Sequence, residues 1–146
     1  GSYLAAIVAN VLLRPLGHRW TVSLDGVEQE GEFAIVSMCN GRYYGGGFNP
    51  SRDARPDDGL LDIYVVTGVS LAMLPFLIGK YASGRADELT KYVTHLKGRE
   101  LHISFEEDNV INVDGEVIFS KDVDIRLHPG AGRLVVPRGM SFFGGI

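Results

Sequence analysis

Asn40-Gly-Arg-Tyr-Tyr-Gly-Gly-Gly-Phe-Asn-Pro-Ser-Arg-Asp-Ala-Arg-Pro-Asp-Asp-Gly-Leu-Leu-Asp-Ile63 is the stretch on which the fold turns. An apolar strand, Phe33 to Cys39, runs into it, and a second, Leu60 to Val66, runs out. Between the strands lie five glycines, two prolines, three arginines and three aspartates, with neither a helical nor a strand period. A loop this long in a compact domain is either functional or disordered. The plain alternative is a long glycine-rich turn. Gly45, Gly46 and Gly47 permit positive φ and let a backbone or a ligand come close.

The flanks read as β-structure. Trp20, Val22 and Leu24 alternate with Arg19, Thr21 and Ser23, and Asp25-Gly26 is a favoured hairpin turn. Phe33, Ile35 and Val36 head a mostly apolar strand, which predicts burial on both faces. Leu61, Ile63 and Val65 alternate with Asp62, Tyr64 and Val66. Two stretches read as helix. Leu4, Ile7, Val8, Val11 and Leu12 share one face before Pro15. Leu71 to Tyr81 follows Ser70 as N-cap, with a kink or late start at Pro75 and an end at Ser83-Gly84. Asp87 to Val93 suits one more short helix.

From Thr94 onward the pattern is strand and turn: Leu101 to Phe105, an acidic turn at Glu106-Glu107-Asp108-Asn109, then Val110 to Val113. Asp114-Gly115 turns the chain again, and Val117 to Phe119, Val123 to Leu127 and Leu134 to Val136 follow. About ten short strands with two or three helices predict a mainly β (α+β) fold, an antiparallel β-sandwich. Gly1-Ser2 reads as a tag remnant left by expression, and residues 3–146 as one domain. The chain begins without Met inside an apolar pattern, which reads as a piece of a longer protein.

A net charge of −4 gives no electrostatic case for nucleic acid. The longest apolar runs, Tyr3–Leu13 and Val69–Ile78, are shorter than the roughly 20 residues of a membrane span. Cys39 is alone and ends an apolar run, so it reads as a buried small hydrophobe in a reducing compartment. His18, His95, His102 and His128 have no metal-ligand spacing and read as surface or half-buried residues.

The acids are more informative. Asp57-Asp58-Gly59 closes the central loop, and Asp114-Gly115-Glu116 closes a later hairpin. Acidic turns at strand ends can converge on a cation or a transferring proton. Asp-Gly is also the commonest tight turn, although Glu116 then lies just inside a strand. Arg42, Arg52 and Arg55 can hold a phosphate or a lipid head group, or form a solvated face.

Asn40-Gly41, Tyr44-Gly45-Gly46-Gly47, Pro50, Asp57-Asp58-Gly59-Leu60-Leu61-Asp62, Gly84, Asp114-Gly115-Glu116 and Pro137 occur in an order that resembles the C-terminal half of the diacylglycerol kinase catalytic family. That family of lipid kinases includes bacterial diacylglycerol kinases and sphingosine kinases and is similar to NAD kinases. The resemblance implies a β-sandwich that supplies the lipid-facing side, beside an N-terminal domain whose Gly-Gly-Asp-Gly-Thr motif holds ATP. This sequence contains no such motif, so the N-terminal ATP-binding domain is expected to be absent from it. Relatives often carry His after the glycine matching Gly84, where this chain has Arg85.

By the same resemblance Glu116 is the candidate general base on the lipid hydroxyl, in a motif shared with Asp114, although some relatives assign that role to the aspartate of the missing motif. Asp58 with the backbone carbonyls of Arg55 and Leu60 resembles a Mg²⁺ site. Asn40, with Gly45, Gly46 and Gly47, resembles the segment facing the nucleotide. The expectation is therefore γ-phosphoryl transfer from ATP to a diacylglycerol-like hydroxyl, in phospholipid biosynthesis, by a cytoplasmic enzyme peripheral at the membrane. Expected partners are the lipid, ATP, a transient membrane surface, the chain's own N-terminal domain and a second copy in a homodimer, with no nucleic acid. The isolated chain is expected to be inactive. The alternatives are an NAD-kinase relative with a soluble acceptor and a non-catalytic β-sandwich binding module.

Overall fold

The computed structural model describes residues 18–44, 47–133, 135, 137 and 138. The helix expected at Leu4–Leu12 lies outside them, and the strand expected at Leu134–Val136 falls mostly outside.

Seven strands form two antiparallel sheets among the described residues: β1 (His18–Leu24), β2 (Val27–Phe33), β3 (Ile35–Cys39), β4 (Leu61–Val66), β5 (Val93–Gly98), β6 (Glu100–Val113) and β7 (Glu116–Arg126). The four-stranded sheet has the order β2-β1-β6-β7 and the three-stranded sheet β3-β4-β5. Trp20, Val22 and Phe33 of one sheet and Leu61, Ile63 and Val65 of the other fill the core between them, with Leu101 and Ile103 of β6. This is the sandwich that the alternating apolar residues predict.

The expected strand Phe33 to Cys39 is two strands. Phe33 ends β2 in the larger sheet, and the chain changes sheets at Ala34, whose amide donates to the Val66 carbonyl at 2.8 Å. A second crossing occurs at Arg99, between β5 and β6. The β1–β2 turn clamps it. Asp25 (φ 49°) and Gly26 (φ 83°) make the mirror-image turn that suits strand twist. The Asp25 Oδ1 accepts from the amides of Arg99 (2.9 Å) and Glu100 (2.8 Å). These two amides, Glu100's foremost, hold the Asp25 carboxyl below its ordinary range. A Cβ on Gly98 would run into Leu24, so the crossing needs glycine there.

The smaller sheet has a second cover. Helix α1 (Leu74–Ala82) follows a short 3₁₀ turn at Leu71–Met73. The helix starts late, with Pro75 in its first turn as expected, but its N-cap is Met73 rather than Ser70, and no side chain caps it. Its end is a Schellman motif: Gly84 (φ 69°) donates to the Tyr81 carbonyl at 3.2 Å and Arg85 to the Lys80 carbonyl at 2.9 Å. The short helix expected at Asp87–Val93 is a 3₁₀ turn at Ala86–Leu89, and Val93 already belongs to β5. Leu77, Ala86, Leu89 and Val93 pack on Tyr64, which faces away from the inter-sheet core. β4 is consequently buried on both faces.

The strands expected at Leu101–Phe105 and Val110–Val113 are one strand, β6. Glu106–Asn109 is not a turn: Ser104 lies opposite Asp122 and Asn109 opposite Ser120, so the four residues Phe105–Asp108 of β6 bulge opposite Lys121 alone. β7 likewise joins two expected strands. β1 accompanies β6 only as far as Phe105. Beyond it, Asn109–Val113 and Glu116–Ser120 continue as a two-stranded ribbon.

Candidate functional site

The loop from Asn40 to Leu60 is anchored to its surroundings at several points. Tyr44 and Phe48 form a bridge, each amide donating to the other's carbonyl at 3.0 Å, with their rings stacked 5.8 Å apart. Gly47 turns there at φ 125°, while Gly45 and Gly46 lie outside the described residues. Pro50, Ser51 and Ala54 are buried. The Asn49 amide donates to the Ala82 carbonyl at 3.0 Å, and Arg52 Nη2 to the Ser83 carbonyl at 3.2 Å, which ties the loop to the end of α1. Gly84 is the contact point: a Cβ there would lie 2.7 Å from Arg52 Cγ and 2.8 Å from the Asn49 carbonyl oxygen. Ser37 and Tyr81 hydroxyls meet at 2.5 Å, and Tyr44 Oη donates to Tyr81 Oη at 3.4 Å. Burial raises the Tyr81 phenol well above its ordinary pKa.

The structure brings Arg55, Asp58 and Leu60 together in one turn. The Asp58 amide donates to the Arg55 carbonyl at 3.4 Å, and the Leu60 amide to Asp58 Oδ1 at 2.9 Å. It is therefore the Leu60 N–H that reaches the carboxylate. Gly59 between them takes φ 72°. The Arg55 guanidinium faces the Asp57 carboxylate at 2.9–3.0 Å and holds its pKa below the usual range. Arg42 Nε donates to the Ala54 carbonyl at 3.3 Å. Thus all three loop arginines have partners in the fold, and each carries further donors beyond these bonds.

A polar cluster that the sequence reading passed over lies just beyond, on the α1 side of the smaller sheet. Asp62 is fully buried at 0 % exposure. Its Oδ1 is 2.7 Å from His95 Nε2 and 3.3 Å from Lys97 Nζ. Lys97 Nζ also stands 3.8 Å from Asp58 Oδ2, and His95 Nδ1 lies 3.5 Å from Asp87. The His95 ring stacks on Tyr64 at 4.4 Å and 8°. Burial pushes the Tyr64 phenol up to about 12 and raises the Cys39 thiol. The register explains the cluster: Asp62 lies opposite Lys97 and Tyr64 opposite His95, so a period of two on both strands puts all four on one face. The signal in the sequence was a carboxylate and a tyrosine two apart in an apolar strand, matched by a histidine and a lysine two apart in another.

Glu116 opens β7 opposite Val113, after Asp114 (φ 50°) and Gly115 (φ 101°). Asn112 Oδ1 accepts the Gly115 amide at 3.0 Å and holds the turn. Glu116 is exposed, and no hydrogen bond or ion pair joins it to the loop residues or to an arginine among the described residues. Around it the ribbon exposes Val113 (55 %), Val117 (55 %), Ile118 (48 %) and Phe119 (65 %). Asn40 is exposed immediately after β3, at the start of the central loop.

Two antiparallel sheets, a helical cover on the smaller one, and glycine- and acid-rich segments at strand ends define a β-sandwich domain. The chain belongs to the YegS C-terminal NAD kinase beta sandwich-like domain family, whose model matches residues 2–136. It is 28 % identical over 134 residues to a Staphylococcus epidermidis protein named "Putative lipid kinase", covering 92 % of this chain and 43 % of that protein. A similarly named Staphylococcus aureus MRSA252 protein is 27 % identical, with 92 % and 44 % covered. A Bacillus anthracis structure described as a "putative diacylglycerol kinase" superposes with a TM-score of 0.66 at 28 % identity, over 84 % of this chain and 40 % of that one. The chain thus spans under half the length of the relatives it matches. The resemblance read from the motifs is borne out.

Proposed function

We propose that this domain is the lipid-facing part of an ATP-dependent lipid kinase, transferring the γ-phosphoryl group to the hydroxyl of a diacylglycerol-like lipid. The observation that carries the reading is Glu116 at a tight turn of a ribbon that exposes apolar side chains, in a chain whose relatives bear lipid kinase names. A lipid hydroxyl comes with an apolar stem, and exposed apolar patches are where such ligands bind. Ile118 lies two residues from Glu116 and so on its face, with Val113 opposite. In this reading the Glu116 carboxylate takes the hydroxyl proton as the phosphoryl group reaches the oxygen. Asn40 and Gly47 face the nucleotide, which the N-terminal domain holds. Arg42 and Arg52 offer their remaining donors to phosphate or a head group. Among the described residues no helix is long and apolar enough to cross a membrane, and the proposed enzyme meets its lipid peripherally, from the cytoplasm. Assayed with ATP, Mg²⁺ and diacylglycerol, the 146-residue chain gives no product; turnover by the chain alone would overturn this division of labour.

The Asp58 turn suits Mg²⁺, because its donors are a carboxylate and backbone carbonyls, all hard oxygens. No group of three or more His, Cys, Asp or Glu among the described residues could hold a metal. A cation here would therefore rely on Asp58, the Arg55 and Leu60 carbonyls, and water. Bound, it would fix the end of the central loop where it leads into β4. Wild-type protein is expected to melt higher with Mg²⁺ than without. Asp58→Ala also loses the bond to the Leu60 amide, so it melts lower in both conditions, but the Mg²⁺-dependent increment disappears. An unchanged increment would remove Asp58 from the metal site.

A further inference from the structure

Lys97 stands between two carboxylates that differ in kind. Asp62 is buried completely near the start of β4, whereas Asp58 is on the loop and exposed. The ammonium is 3.3 Å from Asp62 Oδ1 and 3.8 Å from Asp58 Oδ2. The Lys97 side chain is 37 % exposed, so it has room to move. Asp62 Oδ1 also meets His95, but Asp62 Oδ2 is buried without a hydrogen-bond partner among the described residues. A buried carboxylate oxygen left unpaired is costly. Asp62 thus has capacity for a second charge-assisted bond, and the cation beside it is currently shared with Asp58.

We infer that Lys97 is an internal counter-cation that Mg²⁺ displaces from Asp58 onto Asp62. The inference rests on the reading of Asp58 as a Mg²⁺ ligand. Without the metal, Lys97 bridges the two carboxylates and holds the loop near its final position. Mg²⁺–oxygen bonds are about 2.0–2.1 Å, so a cation on Asp58 Oδ2 would stand within about 6 Å of the ammonium. Two positive charges that close repel. The ammonium relieves the repulsion by moving onto the Asp62 carboxylate, where the unpaired Oδ2 accepts it. Asp62 and Lys97 are positioning residues in this scheme: they set how tightly the loop holds its metal without touching it.

The scheme makes opposite predictions for the two partners. Lys97→Met removes the competitor, so Mg²⁺ binds more tightly. Asp62→Asn removes the charge that receives the ammonium, so Lys97 stays on Asp58 and Mg²⁺ binds more weakly. A change of about fivefold or more in each direction is expected, the ordinary scale of coupling between sites. The measurement is Mg²⁺ titration calorimetry on the 146-residue chain, with melting curves in EDTA to confirm folding. A merely structural role would weaken binding in both variants, and that result overturns the inference, as does an unchanged affinity in Lys97→Met. Because Asp62 is buried, Asp62→Asn could fail to fold; Lys97→Met, at a half-exposed position, then decides alone. Asp58→Asn locates the site. If wild type and Asp58→Asn bind Mg²⁺ alike, the reading of Asp58 falls and the Lys97 scheme with it. If only Asp58→Asn loses binding while Lys97→Met matches wild type, the metal site stands and the lysine scheme alone fails.

Discussion

Replacing Glu116 by Gln in the proposed kinase is expected to lower kcat by about 10²–10⁴-fold, the usual contribution of a general base, with ATP affinity and melting temperature little changed. The structure makes this a clean substitution. The side chain is exposed and has no ion-pair or hydrogen-bond partner among the described residues, so its charge supports nothing in the fold. The turn before it is held by backbone geometry and by Asn112, none of which the change touches. A structural role, in which Glu116 pairs with an arginine across the sheet, finds no such arginine among the described residues; Val113 is the residue opposite. That alternative predicts lost stability with kcat retained. Wild-type turnover in Glu116→Gln would remove the base role from Glu116.

Gly84→Ala is expected to destabilise the domain by about 1–3 kcal/mol from backbone strain alone, because the position holds φ 69°. The clash adds to this. The new methyl would lie 2.8 Å from the Asn49 carbonyl oxygen, which is backbone and cannot simply swing aside. Relief requires the segment Asn49–Arg52 to lift off the end of α1, breaking the bonds from Asn49 to Ala82 and from Arg52 to Ser83. Against a typical total stability of about 5–15 kcal/mol the loss is large. Gly26→Ala provides the comparison: it has φ 83° but nothing within 4 Å of its Cβ. Thermal melts should place Gly84→Ala clearly below Gly26→Ala. Equal melting temperatures would mean that the loop does not lean on α1 as described.

The sandwich was legible in the sequence because a half-buried strand writes itself as alternation, and Asp25-Gly26 and Asp114-Gly115 mark turns whose geometry demands them. What was not legible depended on register or on the other sheet. Phe33 to Cys39 is one apolar run, and nothing local tells Ala34 to leave one sheet for another; the Val66 carbonyl does that. Glu106–Asn109 looks like a turn because four polar residues interrupt the alternation, yet Phe105–Asp108 bulge opposite Lys121 and the ladder resumes at Asn109. The stretch Leu71 to Tyr81 correctly suggested a helix with its late start at Pro75, but Ser70 lost its capping role when a 3₁₀ turn intervened.

Of the candidate site, the Asp58 turn and the position of Glu116 could be read from Asp-Asp-Gly and Asp-Gly-Glu. The cluster of Asp62, His95 and Lys97 could not, since its members are 33 and 35 residues apart and meet only through the β4–β5 register. The sequence predicts a surface or half-buried His95, and its side chain is 27 % exposed. Its carboxylate partner lay hidden in a strand that otherwise reads as core.

Which molecule receives the phosphoryl group tests the proposed function most directly. The longer protein, given γ-labelled ATP, Mg²⁺, and diacylglycerol, other hydroxyl lipids and NAD in parallel, reports this in a single assay. The prediction is label in a lipid phosphomonoester, extracted with the organic phase and dependent on Glu116. Label found in NAD, with the lipids left unmodified, would contradict it.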